Sequence, residues 1–243
     1  MDVLVLRLEA PMVAFGDVMV DNLGRIAEFP TTSALTGLIG NALGLDRTET
    51  KALARLQQRL RFACRIDARG PRLTDMQTAQ LAQNDEWWTT HRVVGRDGGA
   101  ATYHSPHIRY RDFDCDVRLT VVCAFDPADE PPSVHTVASA FERPARPLFV
   151  GRKPCLPTRP MHEGVLTTRS LLEALRQVPW AAGQIREHAP DQLLVRLPVD
   201  EAPPRPLKYL QLADRRNWTA GPHMGLGDAL VGYLPLRDCA RVS

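Results

Sequence analysis

The sequence has little excess charge, no long apolar run and no secretory signal, and each absence excludes a class of protein. Thirty basic residues stand against 28 acidic ones, so the formal net charge is only +2. A nucleic-acid site in such a chain must be a local patch. No segment approaches the roughly 18 consecutive apolar residues of a membrane span, and the first residues alternate like a strand rather than a signal peptide. We therefore expect a cytoplasmic globular protein without membrane contact.

The sequence also lacks the motifs of metal, cofactor and nucleophile chemistry. Its cysteines are odd in number and unpaired in spacing, which disfavours disulfides and zinc: Cys64, Cys115, Cys123, Cys155 and Cys239. His91, His104 and His107 are close in sequence, but Pro106 rules out a regular helix and no carboxylate cluster completes a ligand set. No Walker loop, Rossmann fingerprint or nucleophile elbow occurs. We expect no metal and no cofactor.

The apolar periodicity predicts an α+β fold. It indicates, in order, a strand at 2–9, helices at about 33–43 and after the Asp46–Glu49 capping pattern, strands at 62–68 and 116–125, a helix at 134–141, a helix at 168–178 and a strand at 192–199. This order favours helices on an antiparallel sheet, the ferredoxin-like arrangement among others. Prolines at 203–206 indicate a linker, and no element is predicted for 221–232.

Two glycines inside the first predicted helix require an explanation. Gly37 and Gly40 each cost roughly 1 kcal/mol relative to alanine, so another backbone is expected to pass close to that face. The alternative is a Gly-x-x-Gly clamp on a nucleic-acid backbone.

Residues 70–112 interrupt the periodic pattern and predict a projection from the fold. Loops of this length inside a compact domain usually carry function. The turn signal Asp97–Gly99, flanked by 87–94 and 100–103, predicts a protruding β-hairpin. Arginines alternate there with aromatic residues that can stack unpaired bases, namely Arg92, Arg96, Arg109 and Arg111 beside Trp87, Trp88, Tyr103 and Tyr110. Packing of the tryptophans on the body is the alternative.

The segment 143–159 is the strongest candidate for a phosphate-binding loop. It holds five basic residues, four prolines and no acid, and Gly151 permits close approach of a backbone. A stiff cationic loop suits sequence-independent contact with phosphates. The basic residues are Arg143, Arg146, Arg152, Lys153 and Arg159. A proline-rich connector with solvated arginines is the alternative, and a further basic cluster surrounds Trp218 with Arg205, Lys208, Arg215 and Arg216.

Several of these segments, in this order, resemble the Cas-five family of CRISPR-associated proteins in its type I-E form. The matching stretches are Leu4–Leu8 leading to Ala10–Gly16, Phe29–Ser33 through Gly37–Gly44, Asp75–Thr78, Tyr110–Phe113 with Asp116, and Gly151–Cys155. They span most of residues 3–160. The family's tyrosine-histidine pair after Asp75 is Met76–Gln77 in this sequence.

The resemblance implies a ferredoxin-like (RRM-like, RAMP) fold with a β-hairpin thumb. It divides the chain into an RNA-binding domain at 1–160, with the thumb inserted at about 75–112, and a smaller β-rich region at 161–243. It implies a non-catalytic subunit of the type I-E Cascade surveillance complex in antiviral defence, holding the CRISPR RNA 5′ handle. The partners would be the backbone subunit CasC, the large subunit CasA, the other Cascade subunits and, indirectly, target DNA, while CasE cuts the precursor RNA.

The residues expected to hold RNA are Gly151, Arg152, Lys153, Arg146, Arg143, Arg111, Arg109 and Arg96. A second hypothesis is a metal-independent endoribonuclease that processes precursor CRISPR RNA, as in type I-C relatives. His104, Tyr103 and Lys153 have suitable acid–base chemistry for it. A third is a protein-interaction module that does not touch RNA.

Overall fold

The computed structural model describes residues 1–17, 21–79, 87–88, 93–94, 107–181, 190–201, 203, 206–220 and 223–240. The strands are β1 (Asp2–Val13), β2 (Leu23–Gly24), β3 (Leu60–Ala68), β4 (Arg72–Ala79), β5 (Trp87–Trp88), β6 (Val93–Val94), β7 (His107–Phe125), β8 (His162–Thr167), β9 (Gln192–Leu197), β10 (Lys208–Arg216) and β11 (His223–Pro235). The helices are α1 (Thr32–Leu43), α2 (Thr50–Arg59), α3 (Val134–Glu142) and α4 (Leu171–Gln177), followed by a 3-10 turn at Leu236–Asp238.

Nine of the described strands form one sheet with mostly antiparallel pairing. Its central order is β3-β7-β1-β8, and β9, β11 and β10 continue it beyond β3. The α+β prediction is therefore confirmed as a mixed fold on an antiparallel sheet. β1 is longer than predicted and passes through Pro11, which is tolerated because β8 pairs only with residues 2–6 and leaves the far half of β1 at an edge.

Outside the centre of the sheet, the first half of strand β7, residues 107–114, forms a two-stranded ribbon with β4. Its second half pairs with β1 and β3, whereas residues 107–114 pair with β4, and Tyr110 and Arg111 also pair with the short parallel strand β2. Because side chains alternate along a strand, the ribbon has two distinct faces. One face carries Arg109, Arg111 and Phe113, and the other carries Ile108 and Tyr110.

Helices α1, α2 and α3 cover one face of the sheet. Thr31 caps α1 by accepting a hydrogen bond from the Ala34 amide at 3.1 Å, and Gly44 ends the helix in the left-handed conformation at φ 83°. Both ends follow the sequence signals. Leu35 and Ile39 of α1 then pack into a core shared with alternate residues of the central strands, such as Leu6 and Leu119.

The opposite face of the sheet is covered by α4. Its apolar residues Leu171 and Leu175 pack with Val3, Val5 and Val122 in a second core. The sheet is therefore buried on both sides around these residues.

Charged side chains lie inside this second core as a hydrogen-bonded network. The Asp67 carboxylate accepts from Arg65 Nε at 2.6 Å and from Arg7 Nη1 at 2.8 Å. Arg65 also donates to the Leu175 and Val178 carbonyls at the end of α4. Asp67 is the only described carboxylate that forms an ion pair with either of these two guanidinium groups. Because buried charges are costly unless they are paired and hydrogen-bonded, both arginines depend on it.

The C-terminal part differs from the sequence expectations. The region predicted without an element contains β11, and residues 208–216, which the sequence left unassigned, form β10. Two glycines of β11 lie directly over β10 side chains, so a Cβ at Gly225 would come within 2.7 Å of Arg215. The high glycine content, which prevented a strand prediction here, therefore allows β11 to pack closely on the side chains of β10. The division at residue 160 stays a prediction, and the pairing of β8 with β1 favours a boundary after residue 167.

Removing the Asp67 carboxylate should destabilise the protein strongly. We expect Asp67→Ala to lower the free energy of unfolding by about 3–5 kcal/mol, because two buried guanidinium groups lose their counter-ion. Urea unfolding measures the loss. The control is Asp200→Ala, which removes an exposed partner of Arg61 and should cost at most about 1 kcal/mol. Equal effects of the two variants would contradict the role assigned to the network.

Candidate nucleic-acid interface

A cleft of about 850 Å³ lies between α1, the ribbon, the 146–154 loop and the end of β10. Of the described residues that line it, six are basic and one is acidic. The basic residues are Arg47, Arg111, Arg146, Arg152, Lys153 and Arg216, and the acid is Asp46. Phe149 and Trp218 add partly exposed aromatic surface, and the buried rings of Phe15 and Phe113 lie behind the wall. This combination suits single-stranded nucleic acid, which offers phosphates to cations and unpaired bases to flat apolar groups.

The loop that carries Gly151 is fixed against the end of β1. Gly151 has a φ of +92°, and a Cβ at this position would lie 2.0 Å from the Ala14 carbonyl oxygen. Within the loop, the Val150 amide donates to the Cys155 carbonyl at 2.8 Å, and both of these side chains are buried. The close approach expected at Gly151 is therefore to the chain's own backbone.

Arg152 connects this loop to the ribbon. Its Nη1 and Nη2 donate to the carbonyls of Asp112 and Gly24, each at 3.0 Å, and its guanidinium lies 5.1 Å from the centre of the Phe113 ring. Burial lowers the pKa of Arg152, and the neighbouring positive charge of Arg111 lowers it further. Carbonyl oxygens fix the guanidinium group without neutralising it, so its positive charge remains in the cleft wall.

Arg146 has a comparable position at the end of α1. Its two terminal nitrogens donate to the carbonyls of Leu45 and Gly44 at 2.8 and 3.0 Å. These carbonyls belong to the C-terminal end of the helix, where a cation is favoured by the helix dipole. Asn41 adds a bond from α1 to the Pro147 carbonyl at 2.7 Å. The 145–147 segment is thus held on α1 and turns Arg146 toward the cleft.

Arg111 is oriented by the side chain of Gln77. Its Nε donates to the Gln77 amide oxygen at 2.8 Å, and the Gln77 amide nitrogen donates to Asp75. Lys153 is exposed at the rim and has no hydrogen bond or ion pair with another described residue. Among the described residues neither Arg111 nor Lys153 forms an ion pair, so both present their charge to the cleft.

The remaining predicted residues lie away from the cleft or outside the described residues. Arg143 is exposed beyond its lining, and Arg159 pairs with Glu163 at 2.6 Å. Arg109 is exposed further along the same ribbon face as Arg111. Arg96 and the proposed Asp97–Gly99 turn lie outside the described residues. Trp87 and Trp88 pair with Val94 and Val93, which corrects the expectation that 87–94 forms one arm of the hairpin.

Sequence reasoning missed part of the cleft. Arg47 was not singled out, although it follows directly after Asp46, the first residue of the predicted capping pattern. In the structure the N-cap of α2 is Glu49 instead. Arg216 and Trp218 were expected only to extend a basic surface. Gly40 faces the Leu53 side chain of α2, where a Cβ would approach to 2.8 Å, whereas Gly37 borders the cleft beneath Trp218. The two glycines thus have different roles, and at Gly40 the neighbour is a side chain rather than a backbone.

No group of three or more His, Cys, Asp or Glu residues that could hold a metal ion occurs in the described part of the chain. Within the same residues, none of the helices has the length and apolar character needed to cross a membrane.

Two solved structures share this fold. One, described as a Cas protein, has 23% sequence identity and a TM-score of 0.60, and the match covers 99% of this chain and 98% of that chain. The other, described as a CRISPR RNA-guided surveillance complex, has 20% identity and a TM-score of 0.65, with 96% and 89% covered. This chain therefore shares the fold of these two structures.

The family described as CRISPR-associated protein (Cas_Cas5) matches residues 3–224, so this chain belongs to the Cas5 family. The chain is also 28% identical over 184 residues to the CRISPR system Cascade subunit CasD of Escherichia coli (strain K12), which covers 75% of this chain and 79% of that protein. The resemblance read from the sequence motifs is thereby confirmed at the level of the family.

A side chain at position 151 should disrupt the loop that lines the cleft. Gly151→Ala places a Cβ on the Ala14 carbonyl and also forces alanine into a left-handed conformation, which alone costs about 1–2 kcal/mol. We expect a loss of stability larger than that in urea unfolding. Gly16→Ala, with open space at its Cβ, is the control and should change stability by less than about 1 kcal/mol. Wild-type stability of Gly151→Ala would show that the loop is not packed as described.

Proposed function

We propose that this chain is a non-catalytic subunit of a type I-E Cascade surveillance complex that holds the 5′ handle of CRISPR RNA in the cleft. The observation that carries the proposal is the cleft itself, in which six cations, one acid and several aromatic rings converge from separate parts of the chain. The relatives support the same assignment, since one is described as a Cascade subunit and one as a CRISPR RNA-guided surveillance complex.

The topology supports a ferredoxin-like, RAMP-type assignment for the first part of the chain. Strands β1, β3, β7 and β8, taken as the four strands of that fold, have its 4-1-3-2 order with every neighbour antiparallel. RNA-binding members of this fold commonly stack bases on the open sheet face. Here α4 covers that face, so we place the RNA at the edge of the helical layer, in the cleft.

Contacts in the cleft would go mainly to phosphates. Arg111 and Lys153 supply charge that is free to meet a ligand, while Arg152 and Arg146, held by carbonyls, supply fixed positive potential. Guanidinium groups bind phosphate through forked hydrogen bonds. The handle would therefore be held by its backbone, with stacking on the aromatic wall as a secondary contribution.

The other face of the ribbon would meet neighbouring subunits. Met76, Ile108 and Leu23 are apolar and exposed on that face, with Met76 58% exposed. Exposed apolar clusters beside a functional site are typical of protein contacts. In our proposal the ribbon, as the thumb, contacts the backbone subunit CasC, and the body anchors the large subunit CasA in a cytoplasmic complex.

Reversing the charge of the two free cations should abolish RNA loading. We expect Arg111→Glu/Lys153→Glu to remove guide RNA from the complex recovered by co-expression with the backbone subunit and the repeat RNA, because two attractive contacts become repulsive. The ratio of RNA to protein in the purified complex is the measurement.

The matched control is Arg169→Glu/Arg237→Glu, which makes the same change of charge at exposed residues outside the cleft. This variant should load RNA normally. Normal loading in the Arg111/Lys153 variant, or equal loss in both, would reject the cleft as the RNA site.

The non-catalytic assignment has its own test. The purified chain, incubated with its repeat RNA in the presence of a chelator, is expected to leave the RNA intact on a denaturing gel. Specific cleavage that disappears in His104→Ala would instead establish the metal-independent endoribonuclease of the second hypothesis.

A further inference from the structure

The end of β10 is built into the wall of the cleft by two tethers. The buried Asp214 carboxylate accepts hydrogen bonds from the amide and hydroxyl of Thr32, at the start of α1, and from Arg196 at 2.9 Å. Two residues further on, the Gln57 side chain of α2 donates to the Arg216 carbonyl at 3.0 Å and accepts from its amide at 3.1 Å. The backbone at Arg216 is therefore fixed against both helices.

A tight turn then positions Trp218. The Asn217 side-chain oxygen accepts from the amides of Thr219 and Ala220 at 3.0 and 2.9 Å, which fixes the chain around the tryptophan. The Trp218 ring lies over Gly37 of α1. A Cβ at Gly37 would lie 3.9 Å from the ring, which is an ordinary van der Waals contact. The Arg216 guanidinium lies 5.2 Å from the centre of the ring. The tryptophan and the guanidinium thus form a stacked pair at the edge of the cleft.

This pair has unsatisfied donors and uncompensated charge. Arg216 Nε and Trp218 Nε1 are buried and have no hydrogen-bond partner among the described residues. Burial lowers the pKa of Arg216, and the positive charge of Arg47 lowers it further. Asp46, the acid of this wall, accepts from the amide and hydroxyl of Thr48 through one oxygen, Oδ1, and neither arginine forms an ion pair with a described carboxylate. Two cations that repel each other are stabilised by a bound anion.

We propose that Arg47, Arg216 and Trp218 form a second RNA subsite, in which the two arginines bind one phosphate and the Arg216–Trp218 stack receives the adjoining unpaired base. The inference rests on the proposed function and extends it, because it gives the RNA a path across α1 at Gly37, from the Arg111–Lys153 end of the cleft to the C-terminal strands. A flat guanidinium group on an indole ring forms a stacking platform that suits any of the four bases.

The test is a titration of the full chain with a fluorescent single-stranded RNA of the repeat-derived 5′ handle, repeated at several salt concentrations. Arg47→Gln/Arg216→Gln should weaken binding about tenfold or more and reduce the slope of log affinity against log salt by about 0.7, the value for one phosphate on a single strand. Arg47→Lys/Arg216→Lys should restore the slope, because the charge returns. Arg215→Gln, next to Arg216 but outside the cleft lining, is the control and should match the wild type.

Stacking is tested separately at Trp218. Trp218→Leu should weaken binding about tenfold with the salt slope unchanged, and Trp218→Phe, which keeps a ring, should retain affinity within about threefold. Thermal unfolding of each variant identifies any that fail to fold, and the phenylalanine and lysine variants keep the test decisive in that case. Wild-type affinity and slope in both the double glutamine and leucine variants would overturn the subsite.

The outcomes separate the two proposals. If the wild-type chain binds the handle RNA and Arg111→Glu/Lys153→Glu abolishes binding, but the Arg47/Arg216 and Trp218 variants behave like Arg215→Gln, only the subsite is rejected. If neither the wild-type chain nor its assembled complex binds the RNA, the proposed function itself fails and the subsite fails with it.

Discussion

Strand β7 is the element on which both the core and the cleft depend. Its second half lies between β1 and β3 at the centre of the sheet, where Leu119 and Val121 are fully buried. Its first half continues out of the sheet as the ribbon that carries Arg111. Because one continuous strand serves both purposes, the cationic face of the ribbon is held in a fixed direction by the hydrophobic packing of the core.

Arginine has two kinds of role in this chain, and the partners of each side chain separate them. Arg65 and Arg7 share the buried Asp67 carboxylate, so their charge is neutralised inside the protein. Arg152 and Arg146 bind backbone carbonyls instead, which orient the guanidinium group and leave its charge uncompensated. A buried ion pair contributes to the fold, whereas a cation held by neutral acceptors creates positive potential for a ligand. This difference explains how a chain of net charge +2 can hold a strongly cationic cleft.

Local sequence signals were sufficient to predict those features that depend on neighbouring residues. The threonine N-cap and the C-terminal glycine of α1 could be predicted from the sequence, because capping depends on neighbouring residues. Part of the acid-free segment 143–159 lines one wall of the cleft, although Arg152 and Arg146 contact the chain's own carbonyls and Arg159 pairs with Glu163. Strand β10 was missed because its pattern is polar and its pairing with the glycine-rich β11 is a tertiary contact. The Arg96 region lies outside the described residues and stays a prediction.

Periodicity, capping and local composition act over a few residues, so they were enough to predict the helices, most of the central strands and the acid-free loop. Short motifs in the right order were enough to indicate the family. The tertiary structure alone decided which cations meet. Arg47, Arg111, Arg152 and Arg216 are far apart in the chain and converge only because β7 leaves the sheet and the end of β10 is bound to α1 and α2 by Asp214 and Gln57. Spacing along a chain cannot report such convergence, because it is produced by long-range strand pairing and buried hydrogen bonds rather than by neighbouring residues.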